Sequence, residues 1–81
     1  MMLLQYVEAA VKKAQYKRLE DGSWFVEISG YPGVWANATT IEDCRTELIE
    51  VLEEWILLKT RAHENIPVIE GIDINAKTVT V

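Results

Sequence analysis

The stretch Tyr31-Pro32-Gly33-Val34-Trp35-Ala36-Asn37-Ala38-Thr39-Thr40-Ile41-Glu42-Asp43 constrains the fold of this chain more than any other. Pro32 presets φ at about −65° and Gly33 accepts φ above zero, so Tyr31 to Val34 fits a type II turn with Pro32 and Gly33 at its centre. The chain reverses there. Thr40 then precedes an apolar-periodic run, and Asp43 stands three positions later. That is an N-cap hydroxyl followed by an acid at the positive end of a helix. A turn, a short strand and a helix start are thus encoded in one continuous piece.

On either side the periodicity changes. Leu3, Val7, Val11 and Ala14 recur at helical spacing with Gln5, Glu8 and Lys12 away from them, which predicts a short amphipathic helix over Met2 to Ala14. Gln15 to Glu20 runs into Asp21-Gly22, a hairpin signal, after which Trp24, Val26 and Ile28 share one face of a strand. Val34 to Ala38 supplies a third strand with Val34, Ala36 and Ala38 inward and Trp35 and Asn37 outward. The long helix is expected from Ile41 to Ala62. Its buried stripe would be Ile41, Cys44, Leu48, Val51, Trp55 and Leu58, widened by Leu52. Asp43, Glu47, Glu50 and Glu54 stand opposite, while Lys59, Arg61 and His63 gather at the far end, each sign opposing the helix dipole. Pro67 and Gly71 break the apolar stretch Ile66 to Ile74 into a loop. Lys77 to Val81 alternates as a last strand would. The order is α-β-β-β-α-β: an α+β domain with an antiparallel-rich sheet packed by one long helix and a short N-terminal one.

With 81 residues the chain is one domain, 1–81, that buries little more than about 60% of its unfolded surface, so association would help it. Its longest strictly apolar runs, such as Trp55 to Leu58, are too short to span a bilayer, and no signal peptide is visible; the reading is cytoplasmic, with no membrane contact. The lone Cys44 cannot form an internal disulfide. Thirteen acids against eight bases give a net charge of −5. Phosphate binding rests on clustered Lys and Arg, so direct nucleic-acid binding is not expected. The same charge argues against an α-β-β-β-α double-stranded-RNA-binding domain, whose second helix needs a basic stripe. Here that helix carries Glu42, Asp43, Glu47, Glu50, Glu53 and Glu54.

No constellation for catalysis, metal or cofactor emerges. Cys44 falls on the buried stripe, away from any electropositive site that would make it a nucleophile. His63, the only histidine, suits a helix C-terminal role beside Glu64. No Cys/His cluster offers the four convergent ligands a metal requires. Three tryptophans point instead to packing and interfaces. Trp24 and Trp55 are placed in the core. Trp35 points outward, as does Phe25 from the reverse face of its strand. Ile49, Ile56 and Leu57 exceed what one stripe can bury, so Phe25, Trp35, Ile49 and Leu57 form the expected contact of a homodimer or larger homo-oligomer.

From about Tyr16 to Trp55 the chain resembles the HicB-like antitoxin family, also catalogued as a small family of uncharacterised bacterial and archaeal proteins. The Asp21-Gly22 hairpin, aromatic strand, Pro32-Gly33, short strand and Thr40-Ile41-Glu42-Asp43 start of a Leu- and Glu-rich helix carry the resemblance in that order. Ala38 stands where the family commonly has Gly two residues before the capping Thr, and Asp43 where Glu is more usual; Asn37 is expected to take over the left-handed backbone role. The resemblance implies a partial RNase H-like sheet. It also implies an antitoxin of a type II toxin–antitoxin system that binds and neutralises a HicA-type mRNA-cleaving toxin, a small basic ribonuclease. A metal-dependent nuclease on such a sheet would need several carboxylates converging from the strands, and the first strand carries Tyr16, Lys17, Arg18 and Leu19. The domain is therefore expected to be catalytically empty, with Glu47, Glu50, Glu53, Glu54 and Trp35 meeting the partner and no C-terminal DNA-binding domain following. The alternative is a stand-alone homo-oligomeric interaction domain without a toxin.

Overall fold

In the computed structural model, which describes residues 2–75, helix α1 (Met2–Lys12) leads into strands β1 (Ala14–Arg18), β2 (Trp24–Ile28) and β3 (Trp35–Ala38) and helix α2 (Ile41–Arg61). This is the expected α+β order. The strands form one antiparallel sheet in the order β1-β2-β3, with Tyr16 opposite Val26 and Val26 opposite Ala36. The anticipated strand Lys77 to Val81 lies outside the described residues.

Local chemistry sets the joints. At the first hairpin the Gly22 amide donates to the Leu19 carbonyl, the Leu19 amide donates to Ser23, and Gly22 takes φ +87°. Asp21-Gly22 thus closes a three-residue loop, a turn followed by a left-handed glycine, instead of a two-residue one. The Asp21 carboxylate accepts from both the amide and the hydroxyl of Ser23, at 2.9 and 2.6 Å, and those bonds hold its pKa below the usual carboxylate value. At the second reversal the Val34 amide donates to Tyr31 at 3.1 Å and Gly33 sits at φ +87°, the type II geometry expected of Pro32-Gly33. Thr40 caps α2: its backbone is extended and its hydroxyl accepts from the Asp43 amide at 3.1 Å.

The far end of α2 closes as a Schellman motif. The Glu64 amide reaches the Lys59 carbonyl, the His63 amide reaches Thr60, and His63 occupies the left-handed region at φ 57°. His63 therefore serves the helix end as expected. Asn37 does not take a left-handed role; it lies within β3, and its side-chain amide donates to the Trp24 carbonyl at 2.8 Å. A carboxamide that ties two strands together has no reason to leave the ladder. Ala14 belongs to β1 opposite Ile28, not to α1, because Lys13 closes a turn onto Ala10 just before it.

One core joins the layers. Tyr6, Val7, Ala10 and Val11 from α1, Val26 and Ile28 from β2, Val34 and Ala36, and Cys44, Leu48, Leu52 and Ile56 from α2 are buried together. Complete burial of Leu48 and Leu52 contributes roughly 1.5–3 kcal/mol each. The stripe differs from the expected one. Ile41 and Leu58 are 41% and 57% exposed, Val51 and Trp55 are half-buried, and the buried positions advance by four residues from Cys44 to Ile56. The buried face therefore turns along the helix. Its start lies on β2 and β3, and its later part meets α1, whose Leu3 lies beside Ile56.

The chain beyond α2 folds back over the core with Ile66 and Ile69 buried, as the loop-like reading of Ile66 to Ile74 anticipates. Two anchors hold it. The Asn75 side chain bonds both the amide and the carbonyl of Ile66, and the Pro67 carbonyl accepts from the Tyr6 hydroxyl at 2.6 Å. Tyr6 and Tyr31 hydroxyls lie 2.7 Å apart. Because a carbonyl can only accept, the Tyr6 proton goes to Pro67 and Tyr31 donates to Tyr6.

Candidate functional site

Two layers give the molecule distinct faces. Glu47, Glu50 and Glu54 are exposed on the side of α2 turned away from the sheet, next to Asp43. None of them has an ion-pair partner among the described residues, where the one salt bridge is Lys59 to Glu64 at 2.7 Å. Glu47–Glu50 and Glu50–Glu54 stand three and four positions apart, and each such like-charge neighbour costs the helix about 0.2–0.5 kcal/mol. Glu53 does not join this ridge. It turns toward α1 and lines a groove between the helices.

Trp35 lies elsewhere. It is 53% exposed on the outer face of the sheet, opposite Glu27, a face it shares with Gln15, Lys17 and Asn37. Phe25 shares that face and stacks on Trp35, ring centroids 5.9 Å apart at 27°. The stack half-buries Phe25 within one chain, so burying it does not require a second copy. Trp35 and the acidic ridge occupy opposite faces, and one flat partner cannot cover both.

The other two expected contact residues form a third surface. Ile49 is half-buried, and Leu57 is 49% exposed beside Leu3. Ile56, counted in the sequence as surplus, is buried by α1. Between the helices runs an apolar groove of about 440 Å³ walled by Leu3, Leu4, Val7 and Ile49 and edged by Arg45 and Glu53. The sequence pointed to Ile49 and Leu57 but missed Arg45 and the α1 wall. The exposed Leu3-Leu4 pair was the available signal.

The groups that could do chemistry are placed as follows. Cys44 is wholly buried, with its Sγ 3.7 Å from the Trp24 and Ala36 carbonyl oxygens. Burial, reinforced by the nearby Glu47 charge, pushes its thiol pKa up and so disfavours the nucleophilic thiolate. Among the described residues no three of His, Cys, Asp and Glu converge as ligands, and no helix is long and apolar enough to cross a membrane. Trp55 is half-buried against Tyr31, ring centroids 5.3 Å apart, with the Lys59 ammonium 5.2 Å from its ring. Trp24 packs on the core beneath the Arg18 guanidinium. The tyrosine pair at Tyr6 and Tyr31 escaped sequence reasoning. Its only trace is a tyrosine on an otherwise apolar helix face.

No match was found among curated proteins. Among solved structures the chain is similar to the crystal structure of TTHA0281 from Thermus thermophilus, with a TM-score of 0.87, 29% identity, and 95% of this chain and 96% of that one covered. The two share the whole fold. Residues 5–67, from within α1 to the Pro67 anchor, match the UPF0150-like pattern. This takes in the hairpin, the Pro32-Gly33 turn and the capped helix, and the chain belongs to the UPF0150-like family.

Proposed function

We propose that this chain works by binding a basic protein through the solvent face of α2 and performs no chemistry of its own. In its most specific form this is the role of a cytoplasmic HicB-like antitoxin that neutralises a HicA-type mRNA-cleaving toxin. One observation carries the reading: Glu47, Glu50 and Glu54 stand exposed and without ion-pair partners among the described residues, although their mutual repulsion costs the helix stability. A concentrated anionic strip attracts a cationic surface and orients it before contact.

Replacing Glu47, Glu50 and Glu54 together with Gln tests this. Gln keeps the helix and removes the charge. With a HicA-type toxin, association should slow by about tenfold at low ionic strength and lose most of its salt dependence, with the far-UV circular dichroism unchanged. An unchanged association rate would place the contact on another face. A second reading, a stand-alone homo-oligomeric interaction domain, draws support from the exposed Trp35 and Leu57 and from the apolar groove at Ile49.

A further inference from the structure

Every fourth residue along α2 from its start reads Ile41, Arg45, Ile49, Glu53, Leu57. Residues four apart form one row on a helix surface, and such rows interdigitate when helices pack. The row is apolar, positive, apolar, negative, apolar. Reversing its direction leaves the apolar positions in place and exchanges the two charges. Two copies laid antiparallel across a two-fold axis at Ile49 therefore bring Arg45 of each against Glu53 of the other, with Ile49 meeting its own counterpart.

The surroundings suit such a contact. Arg45, Ile49 and Glu53 edge the 440 Å³ groove, and Leu4 on its opposite wall is 60% exposed. Neither Arg45 nor Glu53 has an ion-pair partner among the described residues. The row ends in Ile41 and Leu57, which are 41% and 49% exposed. We infer that this groove is the contact of a homodimer, an isologous antiparallel pairing of α2 held by two reciprocal Arg45–Glu53 pairs around Ile49. Glu47, Glu50 and Glu54 lie off the row, so the inference goes beyond the toxin reading and stands or falls separately from it.

A charge exchange tests it without any other protein. Sedimentation equilibrium on the full chain should give twice the 9.3 kDa monomer mass. Arg45→Glu and Glu53→Arg, each of which sets like charges together twice per dimer, should each weaken dimerisation at least about tenfold, and the double variant should recover it to within about threefold. Circular dichroism on all three variants separates misfolding from dissociation, and the double variant keeps the original composition. A wild-type mass of 9.3 kDa at about 100 µM would overturn the inference. So would single variants that dimerise normally, a double variant that stays monomeric though folded, or dissociation by Trp35→Glu but not by Ile49→Glu.

Discussion

Tyr6→Phe should destabilise the protein by about 1–3 kcal/mol, a large cost for the loss of one oxygen atom. Tyr6 is wholly buried, and its hydroxyl donates to the Pro67 carbonyl at 2.6 Å while accepting from Tyr31 at 2.7 Å. Phenylalanine keeps the ring and its edge-on contact with Tyr31, so the cost isolates the hydroxyl. The two ends of that chain of bonds respond differently. Pro67 lies at the surface and its carbonyl can recruit water, whereas the Tyr31 hydroxyl, on a residue only 6% exposed, loses its acceptor and has no other side-chain partner among the described residues. The larger share of the penalty thus comes from Tyr31. Tyr31→Phe removes that stranded donor, so the double variant should cost less than the sum of the singles by about 0.5–1.5 kcal/mol. Urea unfolding followed by circular dichroism measures all four proteins, and a domain of this size should lose about 4–8 °C of Tm per kcal/mol. A Tyr6→Phe protein within about 0.5 kcal/mol of wild type, or strict additivity in the cycle, would refute the reasoning.

Three further outcomes follow from the same geometry. Burial and the Tyr31 hydroxyl hold the Tyr6 phenol far above its ordinary value of 10.0, so above that pH the unfolded chain loses a proton that the folded one keeps. The stability tied to Tyr6 is fully present below pH 10 and is lost above it, by at most about 1.4 kcal/mol per pH unit; Tyr6→Phe should flatten that part of an alkaline stability profile. His63→Gly relieves a non-glycine residue at φ 57° and should stabilise the protein by about 0.5–1 kcal/mol in thermal unfolding, while His63→Val should destabilise it. Incubation with RNA or DNA in Mg²⁺ or Mn²⁺ should give no cleavage and no salt-sensitive binding at micromolar concentration; cleavage abolished by mutating an acid of this chain would contradict the proposal that it performs no chemistry of its own.

The local rules could be read from the sequence because each is settled within a few residues. Pro32-Gly33 makes its turn and Thr40 its cap whatever packs around them. Asp21-Gly22 placed the hairpin, although the loop length depended on how Leu19 and Ser23 paired. The stripe on α2 could not be fixed that way. Which face a helix buries is decided by its neighbours, and α1 draws the buried face round to Ile56 and leaves Leu58 outside. The fate of Asn37 depended on Trp24, a strand away. The interaction residues were named individually, yet their division among an acidic ridge, an aromatic sheet face and a groove required the two-layer arrangement. Acidity and aromaticity are visible in a sequence; the side of the sheet on which each lies is not.

The separation of these faces bears on valency. A partner seated on the α2 ridge leaves the Phe25–Trp35 face untouched, and the close-packed layer of Val26, Leu48 and Leu52 lies between them. A dimer built on the groove would display the ridge twice, in fixed relation across its two-fold axis. A partner that is itself paired could then engage both copies, the second contact forming at the local concentration imposed by the first, so modest affinity at each ridge would add up to slow release. A single charge substitution on α2 would then be felt twice in every complex.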